Sequence, residues 1–238
     1  MGALASRSTR EFKRLITPLQ LRWRARPNTK ASRANKVFIA GCARSGTTLM
    51  QSLMWCFEDI FVHPPEARHT MLYLLDRQET NLVVKRDARS HEDLAKLSAA
   101  IGLIYCVRHP FDVLTSSHPQ TRMERRFHVM PDRWLLEHNA LLKLRKVQAG
   151  RDILYVRYED MIGEPNLVQQ RIARQFGLKP IIRFSEDPKN PIRATSIRKW
   201  EQNEEYLAYL QGLPPVFLAR LRGFCNEFGY DMPVWANS

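Results

Sequence analysis

The apolar run Val37-Phe38-Ile39-Ala40 leads into Gly41-Cys42-Ala43-Arg44-Ser45-Gly46-Thr47-Thr48 and then into Leu49-Met50-Gln51-Ser52-Leu53-Met54-Trp55. A strand that turns through glycines into a helix aims backbone N–H groups and the helix dipole at one point, which is the setting of an anion-cradling loop. This constrains the fold strongly, because such a loop needs a buried strand behind it and a helix packed back on the sheet. The spacing fits G-x-x-x-x-G-K-[ST] at every fixed position except one, where Thr47 replaces the lysine. An anion is expected here, and the missing lysine argues against an ordinary nucleoside triphosphatase.

Beyond the loop, apolar runs alternate with helical patterns. Strands are expected near 37–41, 59–62, 81–85, 102–107 and 152–156. Helices are expected near 47–57, 91–100, 110–118, 132–148, 164–176, 203–212 and 215–228. Alternation of this kind predicts an α/β fold, a mostly parallel sheet of about five strands flanked by helices. The proline-rich stretches 119–131 and 178–199 read as long loops, of the kind that often form binding lids. Residues 37–238 read as a single domain of ordinary size.

Charge is unevenly placed. Of the net +13, residues 1–36 carry +9, which leaves only +4 for the remainder. A uniformly basic nucleic-acid-binding surface is therefore not indicated, and no nucleic-acid partner is expected. Residues 1–36 read either as a solvated basic tail or as a short amphipathic helix, with Leu15, Leu19 and Trp23, lying on an anionic membrane. No apolar run is long enough to cross a bilayer, and no secretory leader is recognisable. The cysteines Cys42, Cys56, Cys106 and Cys225 form no C-x-x-C pair and read as reduced thiols. A cytoplasmic protein is the expectation, with peripheral membrane contact where residues 1–36 form that helix and none where they are the solvated tail.

A second anion site follows the run Ile101–Val107, which ends in Arg108-His109-Pro110-Phe111-Asp112-Val113-Leu114-Thr115-Ser116. An ATPase would usually place a magnesium-binding aspartate at such a strand end, whereas this chain places an arginine. Arg108 and Ser116 together could hold a dianionic phosphate. In the first loop, N–H groups from Ala43 to Thr48 point at the anion. Arg44 adds a fixed charge, Gly46 permits close approach, and Ser45, Thr47 and Thr48 add hydroxyls.

Together these two elements resemble sulfotransferases dependent on 3′-phosphoadenosine 5′-phosphosulfate (PAPS). The Ala43–Thr48 loop is similar to that family's 5′-phosphosulfate loop, and Arg108 to Ser116 to its 3′-phosphate motif. Val156-Arg157-Tyr158-Glu159-Asp160-Met161 looks like its strand-end Y-E-D segment, and Arg198-Lys199-Trp200 like its late basic–tryptophan element. The motifs occur in the family's order over about residues 37–202. The resemblance implies a three-layer fold of the P-loop NTPase-like kind, PAPS as cosubstrate, and a cofactor set that includes Tyr158, Ser196, Arg198 and Lys199. Protein-tyrosine sulfotransferases and bacterial relatives carry R-S-G-T-T-L-M, then E-x-R, then a strand-end lysine. Here those positions are Arg44–Met50, Glu66-Ala67-Arg68 and Lys85, the second requiring a one-residue insertion beside Pro64-Pro65.

The resemblance thereby nominates Glu66 as the base, with Lys85 and Arg44 stabilising charge on the departing oxygen. His63, His69, His109, His118 and His128 are rival bases or structural histidines. No His/Cys/Asp cluster has metal-ligand spacing, so no metal is expected. The acceptor would be a hydroxyl on a glycan, a glycolipid or a tyrosine, with a glycan or glycolipid intermediate preferred. The cluster Arg122, Arg125 and Arg126 reads as an anion-facing patch or a solvated face. A P-loop kinase and a non-catalytic nucleotide-binding module remain as alternatives.

Overall fold

The computed structural model describes residues 35–119, 121–189 and 197–236. Five strands form one all-parallel sheet: β1 (Asn35–Gly41), β2 (Ile60–Val62), β3 (Asn81–Lys85), β4 (Gly102–Val107) and β5 (Leu154–Arg157), in the order β2-β3-β1-β4-β5. Both faces are covered, which is why the strand sequences read as unbroken apolar runs rather than alternating ones.

Successive residues nevertheless divide between two cores. Phe38, Ala40, Leu82, Val84, Leu103 and Tyr105 face one layer, built from α4 (Pro131–Val147), α7 (Glu204–Gln211) and α8 (Pro215–Phe228). Trp134, Leu141, Leu210, Leu221 and Phe224 fill that side. Val37, Ile39, Val83, Ile104, Cys106 and Val156 face the other, against α1 (Thr47–Leu53), α5 (Tyr158–Gly163) and α6 (Pro165–Phe176). This is a three-layer α/β fold of the P-loop type.

The strand order fixes where a ligand can sit. Neighbouring strands β1 and β4 send their following helices to opposite faces: α1 packs in one core, α3 (Pro110–Leu114) in the other. A crevice opens between their carboxyl ends, the topological switch point where open α/β sheets bind ligands.

Three helical expectations are corrected. The stretch 91–100 forms two 3₁₀ turns, Ser90–Glu92 and Leu94–Lys96, instead of a helix. Buried Leu94 and Leu97 suit the three-residue period, and Gln148 and Arg151 side chains take the carbonyls of Ala95, Leu97, Ser98 and Ile101. The helix expected over 110–118 ends at Leu114. There the Thr115 N–H still bonds Phe111 O at 3.0 Å, but the Ser116 N–H turns to Val113 O at 3.3 Å, and the Thr115 and Ser116 hydroxyls donate to the same two carbonyls at 2.7 and 2.8 Å. The helix expected over 47–57 ends at Leu53 and continues as a 3₁₀ turn, Met54–Cys56. The short helices α2 (Met71–Leu74) and α5 lie in segments that read as loop and strand end.

Candidate active site

The first loop folds as its glycines require. Gly41 leaves β1 at φ 142°, and a Cβ there would lie 2.4 Å from the Cys106 carbonyl oxygen of β4. Gly46 caps α1 at φ 90°, where a Cβ would meet the Tyr158 ring at 2.7 Å. Arg44 also takes a left-handed conformation, φ 70°, uncommon for a side-chain-bearing residue and associated with functional turns. The earliest α1 amide to find a helical carbonyl is that of Met50, bonded to Gly46 O at 2.9 Å. The amides of Thr47, Thr48 and Leu49 precede it and have no intrahelical acceptor.

Two guanidiniums, those of Arg44 and Arg108, gather at this loop. Arg44 has no ion-pair partner among the described residues, and its Nε is buried without a hydrogen bond. Burial, then the Arg108 guanidinium, pulls the Arg44 pKa below its ordinary value. Arg108 donates from Nη1 to the Arg44 carbonyl at 3.0 Å and stacks on the Tyr158 ring, 4.2 Å to the centroid. Tyr158 packs against Gly46 in turn. The two predicted anion elements are thus in direct contact. Ser116 lies beyond the end of α3, with its hydroxyl on Val113 O.

The third predicted element meets the loop from β3. Strand β3 pairs with β1, with Lys85 opposite Ile39, so Lys85 emerges beside the loop. Lys85 is only 4% exposed, and its ammonium donates to Thr48 Oγ1 at 2.9 Å and pairs with Glu66 Oε1 at 2.9 Å. Glu66 is 55% exposed at its side chain, so its far side is open to solvent. One ammonium therefore bridges the anion loop and the carboxylate nominated from sequence.

Glu66 owes its position to a residue that sequence reasoning missed. The segment 63–67 runs along the end of β3, with His63 N–H on Val83 O and Ala67 N–H on Lys85 O, both 2.9 Å. Between those anchors Pro64-Pro65-Glu66 forms an arch. Gln51, buried on α1, donates from Nε2 to His63 O at 2.7 Å and Pro64 O at 3.2 Å. A buried glutamine one helical turn after Thr47, amid apolar neighbours, was the available signal.

Below Lys85 lies a buried ion network, also missed. Arg86 donates to Glu137 at 2.6 Å, and Arg133 donates to the same carboxylate at 2.5 Å and to the Ala88 carbonyl. This ties the turn after β3 to α4.

The late basic element docks on α3. Arg198 takes a left-handed turn, φ 55°, and its backbone N–H donates to Asp112 Oδ2 at 3.0 Å. Its guanidinium pairs with Glu201 at 2.7 Å, and Lys199 opens a 3₁₀ turn to Gln202. Trp200 is core, 3% exposed and stacked on the His109 ring at 5.4 Å. Arg193 and Ser196 lie outside the described residues, as does the tail up to residue 34.

The rival histidines are mostly structural in placement. His109 is buried, its pKa lowered chiefly by burial, with its Nε2 on the Asp231 carbonyl at 3.0 Å. His69 is buried beside Asp93, 3.9 Å away. His118 and His128 face each other at 4.8 Å, and burial followed by the positive charges of His118, Arg125, Arg44 and Arg133 holds His128 down at about 4. His63 is half-buried, with its backbone in the arch. Arg126 pairs with Glu205 and lies over Tyr206, while Arg122 and Arg125 are exposed. No helix among the described residues is long and apolar enough to cross a membrane.

With this geometry in hand, comparison with known proteins is informative. The sulfotransferase domain model matches residues 34–205. A sulfotransferase domain from the curacin biosynthetic pathway is 16% identical, with TM-score 0.60 over 84% of this chain and 99% of that one. The sulfotransferase domain of the Synechococcus PCC 7002 olefin synthase is 19% identical, with TM-score 0.60 over 86% and 99%. A sulfotransferase from Mycobacterium avium is 13% identical, with TM-score 0.56 over 90% and 82%. At these identities the solved structures speak for the fold alone. No curated protein matches the chain.

Proposed function

The chain belongs to the sulfotransferase domain family, and on that premise we propose that it transfers a sulfuryl group from PAPS to an acceptor hydroxyl. The observation that carries the reading is Lys85, bonded at 2.9 Å both to Thr48 of the anion loop and to Glu66. A general base, a cation and an anion cradle are gathered at one ammonium.

The donor set fits a ligand with anionic groups at two places. The amides at the start of α1, the hydroxyls of Ser45, Thr47 and Thr48, and Arg44 with its unpartnered Nε suit the 5′-phosphosulfate. Arg108, Ser116, Arg198 and Lys199 suit the 3′-phosphate, with Ala43 and Gly46 shaping the loop and Tyr158 backing Arg108. Ser196, outside the described residues, keeps its assignment from the family motif.

Glu66 takes the acceptor proton as that oxygen forms its bond to sulfur. The bond from sulfur to the bridging oxygen breaks, and adenosine 3′,5′-bisphosphate departs with the electron pair. Lys85 and Arg44 supply positive charge where that oxygen becomes negative. The acceptor we assign is a hydroxyl on a glycan or glycolipid. The solvent-open side of Glu66 supports this, because a hydroxyl displayed on a larger molecule can reach it from outside.

Calorimetry tests the cofactor reading: adenosine 3′,5′-bisphosphate should bind well without magnesium, and Mg·ATP poorly. Tight Mg·ATP binding would overturn it. Glu66→Gln should keep that affinity and lose about 10²–10⁴-fold in transfer from labelled PAPS to a panel of hydroxyl acceptors. Undiminished transfer would move the base elsewhere.

A further inference from the structure

The short helix α3 makes contacts in three directions. Arg108, just before it, reaches the Arg44 carbonyl. The His109 ring stacks on Trp200, which also meets the Phe111 ring edge-on at 5.1 Å. Asp112 accepts the backbone N–H of Arg198, a residue 86 positions away. No step of the chemistry above uses Asp112.

Its placement is costly, which is why it is informative. Asp112 is 3% exposed, and burial outweighs the surrounding positive groups to raise its pKa. Its second oxygen, Oδ1, is buried without a hydrogen bond. For cohesion alone an apolar residue would serve better between Phe111 and Val113. What an apolar residue cannot do is accept an N–H. The N–H it accepts belongs to a left-handed, non-glycine residue, a conformation that persists only when its surroundings impose it. Two residues later the buried Trp200 indole supplies a second anchor, so Arg198 and Lys199 lie between two fixed points on the same helix.

We propose that Asp112 is a positioning residue: through the Arg198 amide it sets the Arg198–Lys199 turn against the end of β4, so that both cationic side chains complete the 3′-phosphate site begun by Arg108. This rests on the PAPS reading above. It also assigns Arg198 two states of its side chain, paired with Glu201 as seen here and turned to the phosphate when nucleotide is bound.

The test compares two nucleotides that differ at one group, adenosine 3′,5′-bisphosphate and adenosine 5′-monophosphate, the latter lacking the 3′-phosphate. In Asp112→Ala the affinity for the bisphosphate should fall about 10- to 30-fold, the scale of a lost charge-assisted contact. Affinity for the monophosphate should stay within about twofold by the same reasoning, since its contacts lie on the other loop. Asp112→Asn keeps an acceptor for the Arg198 amide and should recover most of the loss. In an Arg198→Ala/Lys199→Ala background, Asp112→Ala should have no further effect on bisphosphate binding. If Asp112→Ala does not fold, the Arg198→Ala/Lys199→Ala variant, altered only at exposed side chains, must itself show the loss confined to the bisphosphate. Equal losses for both nucleotides, no loss for the bisphosphate, or an Asn variant as poor as Ala would overturn the assignment. A wild-type protein that binds both nucleotides equally would overturn instead the functional reading on which it rests.

Discussion

Gly41→Ala offers a quantitative test of how tightly the strand end and the anion loop are joined. The new methyl would sit 2.4 Å from the Cys106 carbonyl oxygen, about 1 Å inside ordinary contact. That oxygen is backbone in the adjacent strand, paired with Gly41 in register, so no side-chain rotation can clear it. The φ of 142° adds strain of about 1–3 kcal/mol for any residue with a Cβ. Parting β1 from β4 forfeits at least one ladder bond, about 1 kcal/mol, together with packing beneath it. The total is about 3–5 kcal/mol, or roughly 10 °C in melting temperature for a chain of this length. Gly46→Ala is the control. Its φ of 90° brings backbone strain too, but its methyl would meet only Tyr158 and Met161 side chains, which can shift, so about 2–3 kcal/mol is expected. Urea titration followed by tryptophan fluorescence separates the two. A Gly41→Ala midpoint no lower than that of Gly46→Ala would refute the reasoning.

Gln51→Leu removes the donor to two carbonyls of the Pro64-Pro65-Glu66 arch. We expect about 1–2 kcal/mol lost in urea unfolding, and roughly tenfold lost in kcat as Glu66 wanders. Bisphosphate affinity should be retained, and a fall in affinity equal to the fall in kcat would contradict this. His138 is buried on Trp134, and burial, then Arg220 and Arg145, holds its pKa down to about 4. The unfolded chain takes up that proton near pH 6.5, so the His138 contribution is complete above that value and drains away as pH falls toward 4. Between pH 7.5 and 5 it should cost about 1–2 kcal/mol. His138→Gln should therefore flatten the acid limb of urea stability measured against pH, and an unchanged slope would exclude the effect.

What the sequence disclosed and what it hid follow a physical division. The strand, glycine loop and helix at 37–53 could be read because strand pattern, turn residues and helix pattern are all local. The ends of β3 and β4 announced themselves in the same way, by an apolar run stopping at Lys85 and at Arg108. The bonds of Gln51 and Asp112 could not be read in that way, since they go to backbone groups brought near by the sheet order. At the end of α3 the Ser116 N–H turns to Val113 O, three residues back instead of four, a shift that helix periodicity does not register. Likewise 91–100 reads as helical, yet Gln148 and Arg151, some fifty positions later, take the carbonyls of Ala95, Leu97 and Ser98.

The Lys85 ammonium has a consequence in donor arithmetic. It carries three N–H groups, and Thr48 and Glu66 engage two of them. On the sulfuryl-transfer reading, Glu66 becomes neutral when it accepts the acceptor's proton, and its hold on the ammonium weakens at that moment. The same event builds charge on the departing oxygen across the loop. A proton arriving on one side of Lys85 thus loosens it toward the other, so that bond-making and bond-breaking share one lever, held 2.9 Å from Glu66 and 2.9 Å from Thr48.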